Sequence, residues 1–446
     1  GPFREPKDIP ESVIEASAAA ASAACLVSPA RFSLTTQVEF PPERDVRAEE
    51  PRIGIFVCHC GSNIGGYLDV PDVTTYAASL PNVVHAENNL YTCSQDSIRH
   101  ITEQINAYGL NRVVVASCTP RTHEPLFQDS LRAAGLNPFL FEMANIRNHC
   151  SWVHSSDRPA ATQKARQLVR MAAARAALLE PQPTIQVPVD HTALVIGAGA
   201  AGMAAAISLS QQGFPVHLVE RSSEPGGNLR HLFTAPPHIR PDHPRHPQMV
   251  LQSLTQQVLA DPRITLHLNS EVISTRGFTG NFFSTLRTSD GSRVELSHGA
   301  TVIATGAVEY RGNDYGYGVD PRILTQQEFE TSYFAPLSDG STPAIPSSVV
   351  MIQCVGPAEQ TCTRICCTTA IKNALAIKER NPQSEVVILY KDIRTYGLQE
   401  KLYTEARRRG VLFIRYDTAT RPQVSRLGNP DQPLHVQVWE SHLKQT

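Results

Sequence analysis

Apolar runs of strand length alternate with helical patterns in the part of the chain between residues 51 and 156. The predicted strands lie at residues 53–57, 82–86, 112–116 and 137–142, the second being the weakest. The predicted helices lie at residues 70–80, 95–108 and 123–134. Strands that alternate with helices favour a parallel sheet, since each helix returns the chain to the start of the next strand. This pattern predicts a parallel α/β domain over residues 51–156.

A strand–turn–helix–strand pattern follows at residues 192–220. An apolar strand runs into a G-x-G-x-x-G turn, and an alanine-rich helix and a second strand come after it. The three glycines are Gly197, Gly199 and Gly202. In such a unit the first glycine permits the tight turn, the second lets the backbone approach a pyrophosphate, and the third lets helix and strand pack closely. Glu220 ends the second strand, where a carboxylate can accept hydrogen bonds from ribose hydroxyls. We therefore predict a dinucleotide-binding domain over residues 189–340.

A second α/β pattern occupies residues 341–446. Its predicted strands lie at 347–353, 385–390 and 411–416, and its predicted helices at 363–380 and 398–409. A nucleotide-binding domain would carry G-x-G-x-x-G after the first of these strands. Cysteines stand there instead in the spacing C-x7-C-x3-C-C, namely Cys354, Cys362, Cys366 and Cys367. Four thiolates in this arrangement suit a [4Fe–4S] cluster, and a redox-active dithiol is the alternative.

Five further cysteines follow the strands of the first α/β domain. They are Cys58, Cys60, Cys93, Cys118 and Cys150. Because the carboxyl ends of parallel strands share one edge, cysteines that are distant in sequence converge there. Five thiols at one edge suit a [4Fe–4S] cluster with one cysteine left over, and Cys58 and Cys60 compete most directly for that spare place. A zinc site and scattered core thiols are the alternatives.

The remaining segments connect these domains. Residues 1–50 predict a leading alanine-rich helix and a proline-bearing linker, and residues 157–188 predict a basic linker helix that ends in a proline-rich stretch. Residues 231–246 are rich in His and Pro without metal-ligand spacing. We interpret them as an irregular loop over the cofactor, with a metal site as the alternative.

Composition narrows the function classes. The chain has 446 residues, 41% hydrophobic content and a formal net charge of −2, so several cores are expected and no basic field for nucleic acid exists. No run of 18 consecutive apolar residues and no signal-peptide pattern are found, which predicts a cytoplasmic protein without a membrane span. Ten cysteines in a reducing compartment favour metal or redox chemistry over structural disulfides. No serine–histidine–aspartate arrangement or paired catalytic carboxylate is evident, so we assign no catalytic side chain.

Two short segments make the dinucleotide-binding domain similar to thioredoxin-reductase-like flavoproteins. Pro225-Gly226-Gly227 resembles their second flavin-contacting loop, and Ala304-Thr305-Gly306 resembles the segment that returns to the adenine side of FAD. This resemblance implies FAD rather than NAD. The FAD-binding residues that it predicts are Gly197, Gly199, Ala200, Ala201, Gly202, Glu220, Arg221, Gly226, Gly227, Asn228, Leu229, Ala304, Thr305 and Gly306.

A wider resemblance covers nearly all of residues 52–416. The segments Cys-His-Cys-Gly at 58–61, Ala-Ser-Cys-Thr-Pro-Arg-Thr-His-Glu-Pro at 116–125 and Asn-Ile-Arg-Asn-His-Cys-Ser-Trp at 145–152 carry it. So do the Cys-Cys pair and Asp-Ile-Arg-Thr-Tyr-Gly at 392–397. Together they resemble the HdrA-like iron–sulfur flavoproteins, which are the A subunits of heterodisulfide reductase and their relatives.

The resemblance implies an FAD-bearing iron–sulfur protein with two [4Fe–4S] clusters. Its fold would be an amino-terminal parallel α/β iron–sulfur domain followed by a thioredoxin-reductase-like flavoprotein with two dinucleotide domains. As an oxidoreductase in a larger cytoplasmic complex, it would relay or bifurcate electrons between a two-electron donor and one-electron iron–sulfur carriers. Implied partners are iron–sulfur subunits and hydrogenase- or dehydrogenase-type donors, and the chain would form a homodimer within that complex. The alternatives are an FAD-dependent NAD(P)H:disulfide oxidoreductase and a non-catalytic electron-wire or scaffold subunit.

The leading segment resembles a different part of the same flavoproteins. Pro6-Lys7-Asp8-Ile9-Pro10-Glu11-Ser12-Val13 followed by an Ala/Ser helix is similar to the last helix of a flavin domain, whose amino end points at the flavin. In that family this helix follows the second nucleotide-like domain, so its place at the front is a departure. A tandem fusion, a fragment and a permuted arrangement are the three interpretations.

Overall fold

The chain divides into two units, one of which is discontinuous in sequence. The computed structural model describes residues 6–36, 38–239, 242–359, 362–426, 432–440 and 446. The first unit is Thr35–Val187, and the second unit combines Gly1–Leu34 with Pro188–Thr446. The leading helix and the dinucleotide domains therefore belong to the same unit, although the whole first unit separates them in sequence.

The leading helix, α1 (Ile9–Val27), begins at a complete capping box. The Asp8 carboxylate accepts from the Glu11 backbone N–H at 2.8 Å, and the Glu11 carboxylate accepts from the Asp8 N–H at 3.2 Å. Two of the otherwise unpartnered N–H groups at the helix start are satisfied in this way. By length and composition the stretch Ile9–Ala30, with a mean hydropathy of 1.5, could cross a membrane. This stretch contains no run of 18 consecutive apolar residues; its alanines raise the mean hydropathy although serines and glutamates interrupt them.

The first unit is a four-stranded parallel sheet with helices on both faces. Its strands are β1 (Ile53–Cys58), β2 (Val83–Asn89), β3 (Arg112–Ser117) and β4 (Phe141–Asn145). Its helices are α2 (Ser62–Gly65), α3 (Val70–Ala78), α4 (Gln95–Ala107), α5 (Pro120–Ala133) and α6 (Arg158–Ala176). The strand order is β2-β1-β3-β4, and every pair is parallel. All positions of β1 and β3 are buried, as expected for central strands that are covered on both faces.

Helix α6 is an integral layer of the first unit rather than only the linker helix that its composition predicts. Ala161, Ala165, Val169 and Ala176 are fully buried in the core that also contains α3 and one face of the sheet. These residues recur at helical spacing, and their small side chains let α6 lie close to the strands. Strand β4 begins four residues later than predicted because the Asn137 side chain is used in a turn, where it accepts from the Phe139 N–H at 3.1 Å.

The second unit begins with a four-stranded parallel sheet and an antiparallel three-stranded sheet. The first part of the unit contains β5 (Ala193–Ile196), α7 (Ala200–Gln211), β6 (Val216–Val219), α8 (Pro247–Ala260), β7 (Ile264–His267), β8 (Ser270–Phe278), β9 (Asn281–Thr288), β10 (Arg293–His298) and β11 (Ala300–Ile303). The parallel order is β11-β5-β6-β7, and β8, β9 and β10 form a meander that the sequence analysis did not predict.

The rest of the second unit is another parallel sheet and a hairpin. It contains α9 (Gln326–Phe334), β12 (Ser348–Ile352), α10 (Ile365–Arg380), β13 (Glu385–Tyr390), α11 (Glu400–Arg408), β14 (Leu412–Arg415), β15 (Gln423–Arg426) and β16 (Leu434–Gln437). The order β12-β13-β14 is parallel throughout, which agrees with the predicted strand–helix alternation. Helix α1 packs on α7, so it forms an outer layer of this unit.

A buried ion pair fixes α9 and α10 to the loop after the Gly227–His231 turn. The Glu330 side chain is fully buried, and the Lys372 ammonium donates to it at 2.7 Å. Its second oxygen accepts from the backbone N–H groups of Phe233 and Thr234 at 2.9 and 3.0 Å. The carboxylate is therefore compensated on both oxygens, which is the condition under which a buried charge is tolerated.

We expect Lys372→Met to lower the free energy of unfolding by about 3 to 5 kcal/mol, because it leaves the Glu330 carboxylate buried without its cation. Urea unfolding monitored by circular dichroism measures this. Lys378→Met, on the same helix at a partly exposed position where the ammonium donates to the Pro382 carbonyl at 3.4 Å, serves as the control and should change stability by less than about 0.5 kcal/mol. Equal effects of the two variants would contradict the prediction.

Candidate flavin site and cysteine clusters

The G-x-G-x-x-G turn has three glycines with three different roles. Gly197 has a φ of 102°, and an ideal Cβ there would lie 2.4 Å from the Ala304 carbonyl oxygen. A Cβ on Gly202 would lie 1.7 Å from the Gly197 carbonyl oxygen, so helix α7 and the turn tolerate no side chain between them. Gly199 differs, since no atom lies within 4 Å of its ideal Cβ. The open space beside Gly199, at the start of α7, is where a pyrophosphate would approach the backbone.

Glu220 is held at the carboxyl end of β6 with its carboxylate against the glycine turn. Only 8% of the residue is exposed. One carboxylate oxygen accepts from the Ala198 N–H and the other from the Ser222 N–H, each at 2.9 Å. These bonds fix the carboxylate beside the glycine turn while each oxygen keeps further acceptor capacity.

The two segments that resemble flavoprotein loops lie against the same turn. The Gly226 N–H donates to the Ala198 carbonyl at 2.7 Å, and Gly226 forms an isolated bridge with Gly199. A Cβ on Gly227 would lie 3.2 Å from the Gly199 Cα, which shows how closely the loops approach. The Ala304 N–H donates to the Ile196 carbonyl at 2.8 Å. Three segments separated by up to about one hundred residues thus meet at one edge of the β11-β5-β6-β7 sheet.

The other predicted cofactor residues are distributed along these segments. Ala200 and Ala201 form the first turn of α7, and Arg221 follows Glu220 directly. Leu229 lies in the Gly227–His231 turn. The Asn228 side chain bridges two segments, because it donates to the Ala307 carbonyl at 3.1 Å and accepts from Gln327 at 3.1 Å.

Four of the five cysteines in the first unit are electrostatic neighbours at the carboxyl edge of the sheet. Burial raises the pKa of the Cys93 thiol, and repulsion from the neighbouring thiolates raises it further. Those neighbours are Cys58, Cys118 and Cys60. The Cys58 Sγ accepts from the backbone N–H of Cys60 at 3.2 Å and of Thr92 at 3.4 Å. Backbone N–H donors aimed at a thiolate are an environment that tunes iron–sulfur ligands.

Cys150 stands apart from this group. It is fully buried, and its Sγ donates to the Ala161 carbonyl of α6 at 3.0 Å. Burial raises its pKa to about 11. The residue lies in a π-helical turn, Arg147–Ser151, and belongs to the core cluster that also contains α6. The sequence pointed to Cys58 and Cys60 as competitors for the spare place, whereas the structure brings both of them together with Cys93 and Cys118.

Arg147 is a residue of this site that the sequence analysis did not single out. Its guanidinium donates to the Cys60 Sγ at 3.6 Å and lies over the Trp152 ring at 4.9 Å. Burial raises the pKa of Cys118, and the positive charge of Arg147 works against that rise. The signal was present, because Arg147 lies within the Asn-Ile-Arg-Asn-His-Cys segment that carries the family resemblance.

The cysteines of the second unit surround the start of α10. Cys354 follows β12, and Cys366 and Cys367 lie on the first turn of the helix. The Cys362 Sγ accepts from the Arg364 N–H at 3.3 Å, and the Cys367 Sγ lies 3.7 Å from the Asp392 carbonyl. Residues 360 and 361, inside this cysteine turn, lie outside the described residues.

The thiols of this second group are also mutual neighbours. A hydrogen bond from Cys367 lowers the pKa of Cys366 to about 7, while repulsion from Cys354 and Cys362 opposes the shift. The same hydrogen bond, together with burial, raises the pKa of Cys367. Within the described part of the chain, no group of three or more His, Cys, Asp or Glu side chains is close enough together to hold a single metal ion.

Backbone conformation marks both groups of cysteines. Cys60 and Cys354 have φ values of 47° and 60°, and Arg364 has a φ of 66°. Such left-handed conformations are unfavourable for residues with a side chain and are found preferentially at functional sites. Each of these residues follows a strand or precedes a helix at the edge where the thiols collect.

Comparison with known proteins agrees with this architecture. A model described as an NAD(P)-binding Rossmann-like domain matches residues 195–246. The iron–sulfur A subunit of a CoB–CoM heterodisulfide reductase from Methanopyrus kandleri is 34% identical, over 82% of this chain and 69% of that protein. The A subunit of the H2:CoB–CoM heterodisulfide, ferredoxin reductase of Methanothermobacter marburgensis is also 34% identical, over 88% of this chain and 72% of that protein.

The chain belongs to the family of heterodisulfide reductase A subunits. Its fold is the expected α/β one, with parallel sheets and a Rossmann-like dinucleotide-binding domain, and the chain is an oxidoreductase. Among solved structures, thioredoxin reductase of Lactococcus lactis is 17% identical with a TM-score of 0.35, covering 56% of this chain and 74% of that one. A flavoprotein disulfide reductase of Escherichia coli is 16% identical with a TM-score of 0.35, covering 57% and 54%.

For this family member we expect a graded loss of flavin when side chains of increasing size replace Gly199. Its φ of −75° suits any residue and its Cβ meets no atom, so the variants should fold. Gly199→Val and Gly199→Phe should weaken FAD binding at least about tenfold, equivalent to about 1.4 kcal/mol, whereas Gly199→Ala should have the smallest effect. Flavin per chain after desalting is the measurement.

Gly202→Ala is the matched comparison for that series. Its Cβ would collide with the Gly197 carbonyl, so we expect a lower melting temperature before any specific loss of flavin. Full FAD retention by Gly199→Phe would contradict the assignment of the pyrophosphate site.

Single Cys→Ala variants should divide the first-unit cysteines into two classes. Replacing Cys58, Cys60, Cys93 or Cys118 should remove roughly four iron atoms per chain, the content of one [4Fe–4S] cluster. Cys150→Ala should leave iron unchanged and affect only stability, since its thiol bonds a backbone carbonyl in the core. Iron analysis after anaerobic purification tests this, and five equally mild results would refute the site.

Proposed function

We propose that the chain is the FAD- and [4Fe–4S]-containing electron-transfer subunit of a heterodisulfide-reductase-like complex. It would relay or bifurcate electrons between a two-electron donor and one-electron iron–sulfur carriers. The observation that carries this proposal is the cysteine group at the start of α10, in the position where a second nucleotide-binding turn would otherwise lie. In a domain of this topology a pyrophosphate normally binds at that turn.

The first dinucleotide domain fits FAD on the geometry of its turn. The space beside Gly199 is open, while Gly197 and Gly202 tolerate no side chain. Glu220 and the Gly226–Gly227 loop lie against the same turn and frame that space. When bound, FAD supplies the ability to take up an electron pair and release the electrons one at a time.

Both cysteine groups fit clusters better than single ions. Four thiols are neighbours in each group, and none of the described cysteines is arranged with other ligands around one ion. A [4Fe–4S] cluster attaches each cysteine to a different iron and therefore spreads its ligands more widely than one ion does. The proposed ligand sets are Cys58, Cys60, Cys93 and Cys118 in residues 51–156, and Cys354, Cys362, Cys366 and Cys367 in residues 341–446.

Within the described residues, the turn after β12 is occupied where NAD(P)H would bind. An ideal Cβ on Gly356, in the turn after β12, would lie 2.2 Å from the Tyr310 ring. The ring therefore packs onto the backbone that a pyrophosphate would have to approach. The first turn of α10 carries Cys366 and Cys367 beside that space. Electrons would consequently leave this domain through thiolate-bound iron and not through a nucleotide.

Partners of the chain follow from its membership of a family of complex-forming proteins. The similar proteins are named as subunits of heterodisulfide reductases, which supports a multi-subunit assembly. Within our proposal, the other members are iron–sulfur subunits and a hydrogenase- or dehydrogenase-type donor, and the assembly is cytoplasmic with two copies of this chain.

One observation favours a second candidate function. Cys366 and Cys367 are hydrogen-bonded neighbours, and the lowered pKa of Cys366 is typical of a reactive thiol. An FAD-dependent NAD(P)H:disulfide oxidoreductase would use such a pair as its exchanging dithiol.

Anaerobic titration with NADH and NADPH separates the two functions. We expect the flavin absorbance of the purified chain to remain that of oxidised FAD, because the Tyr310 ring packs onto the Gly356 backbone that a nucleotide would have to approach. Cys366→Ala should lose roughly four iron atoms per chain, whereas Cys25→Ala, a half-buried cysteine on α1, should lose none. Rapid stoichiometric flavin reduction, with iron unchanged in Cys366→Ala, would establish the disulfide oxidoreductase instead.

A further inference from the structure

The leading helix α1 is attached at its amino end to the second cysteine group. Asp8, the N-cap residue of α1, forms an ion pair with the guanidinium of Arg364, and the Tyr396 hydroxyl donates to the same carboxylate at 3.3 Å. Arg364 lies between Cys362 and Cys366 in sequence, and its own N–H donates to the Cys362 Sγ. One residue thus contacts both a predicted ligand and the start of a helix that is more than 350 residues away in sequence.

The contact is reinforced on both sides of Arg364. The guanidinium lies over the Tyr396 ring at 5.5 Å, and the Tyr396 hydroxyl also reaches the Glu11 carboxylate at 3.4 Å. An ideal Cβ on Gly397 would lie 3.3 Å from the Pro6 carbonyl, so the chain before α1 runs close to this loop. Segments around residues 6–11, 362–366 and 396–397 therefore form a single contact cluster.

The carboxyl end of α1 is attached to the first dinucleotide domain. The Arg31 guanidinium donates to the Gln212 carbonyl at 2.9 Å and lies over the Phe214 ring at 4.4 Å. The Cys25 Sγ donates to the Ser208 carbonyl of α7 at 3.5 Å. With 19 residues, α1 spans about 28 Å at 1.5 Å per residue, so it connects the α7 end of the flavin domain with the second cysteine group.

Apolar burial contributes little to this attachment. No residue of α1 is buried, and the partly buried positions, which include Glu11, Glu15 and Cys25, recur at helical spacing along one stripe. The large apolar residues of α1 are exposed, with Ile9 81% and Leu26 83% exposed. Because the inward stripe is polar or small, polar contacts at the two ends hold the helix in place.

We propose that Arg364 is a positioning residue that docks the leading segment, residues 6–34, on the second cysteine group and couples this docking to the ligation of that group. Any change in ligation that moves the backbone between Cys362 and Cys366 also moves Arg364, whose side chain holds Asp8. The docking depends only on contacts within the second unit, whereas the coupling rests on the proposed function.

Hydrogen exchange of the α1 amides in the full, anaerobically purified chain tests the docking. We expect Arg364→Gln and Asp8→Asn to exchange about three- to tenfold faster than the unmodified chain over residues 12–27, since each loses a charge-assisted contact. Asparagine still caps α1 through its carbonyl oxygen, so the Asp8→Asn variant removes the ion pair without removing the cap. The double variant should exchange no faster than either single variant, because both remove one shared interaction.

Arg380→Gln is the matched control. Arg380 lies on the last turn of the same helix as the cysteines, and its guanidinium donates to the Tyr333 and Pro343 carbonyls and not to α1. Exchange in α1 should be unchanged in this variant. Equal exchange in the unmodified chain, Arg364→Gln and Asp8→Asn would overturn the docking.

The coupling is tested by emptying each cysteine group separately. Cys366→Ala retains both Asp8 and Arg364, yet it should accelerate exchange in α1, whereas Cys118→Ala in the first unit should not. Unaltered α1 exchange in an iron-depleted Cys366→Ala chain would refute the coupling. Retention of iron by that variant would instead refute the proposed function and leave the result for Arg364→Gln to decide the docking by itself.

The same experiment tests the alternative that α1 binds a membrane instead of the second unit. The helix is long and apolar enough to span a bilayer, so exchange is also measured with vesicles of phosphatidylethanolamine and phosphatidylglycerol. Protection that is present without vesicles and lost in Arg364→Gln supports the docking. Protection that appears only when vesicles are added, and is the same in Arg364→Gln, would overturn it.

Discussion

The structure depends on one property of parallel sheets, namely that the carboxyl ends of all strands meet at a single edge. In the first unit this property brings together Cys58, Cys93 and Cys118, although the helices between them keep them about 30 residues apart in sequence. In the second unit it places Glu220 against the glycine turn and the cysteines at the start of α10. Ligand-binding and redox side chains can collect at such an edge because the loops there do not have to pack against the sheet.

Much of this arrangement could be predicted from local patterns. Strands β1 and β3 are covered on both faces, so they read as continuous apolar runs, and the glycine spacing identified the dinucleotide turn. The antiparallel meander β8–β10 was missed, since its strands are largely exposed on one face and carry little apolar signal. The inward orientation of Cys150 could not be read from the sequence either, because it depends on a π-helical turn and on a carbonyl of α6.

Long-range polar contacts were the least predictable part. The Asp8–Arg364 pair and the Glu330–Lys372 pair involve charges whose sequence neighbours give no hint of their partners. Charged side chains are mostly exposed to solvent, so a charged residue in the sequence predicts a solvated surface position. Only the tertiary structure shows that one pair is deeply buried and that the other joins the two sequence segments of the second unit.

The left-handed backbone at Cys60 and Cys354 has a meaning for how these positions evolve. Glycine or asparagine would adopt the same φ more easily, so selection for stability alone would remove both cysteines and gain on the order of 1 kcal/mol or more at each. Substitutions at these two positions therefore tend to replace cysteine when the thiol is not needed. Cysteine persists at these positions only while the thiol itself is under selection. A later Gly→Cys substitution would first have to overcome the cost of the left-handed backbone before the ligand was regained.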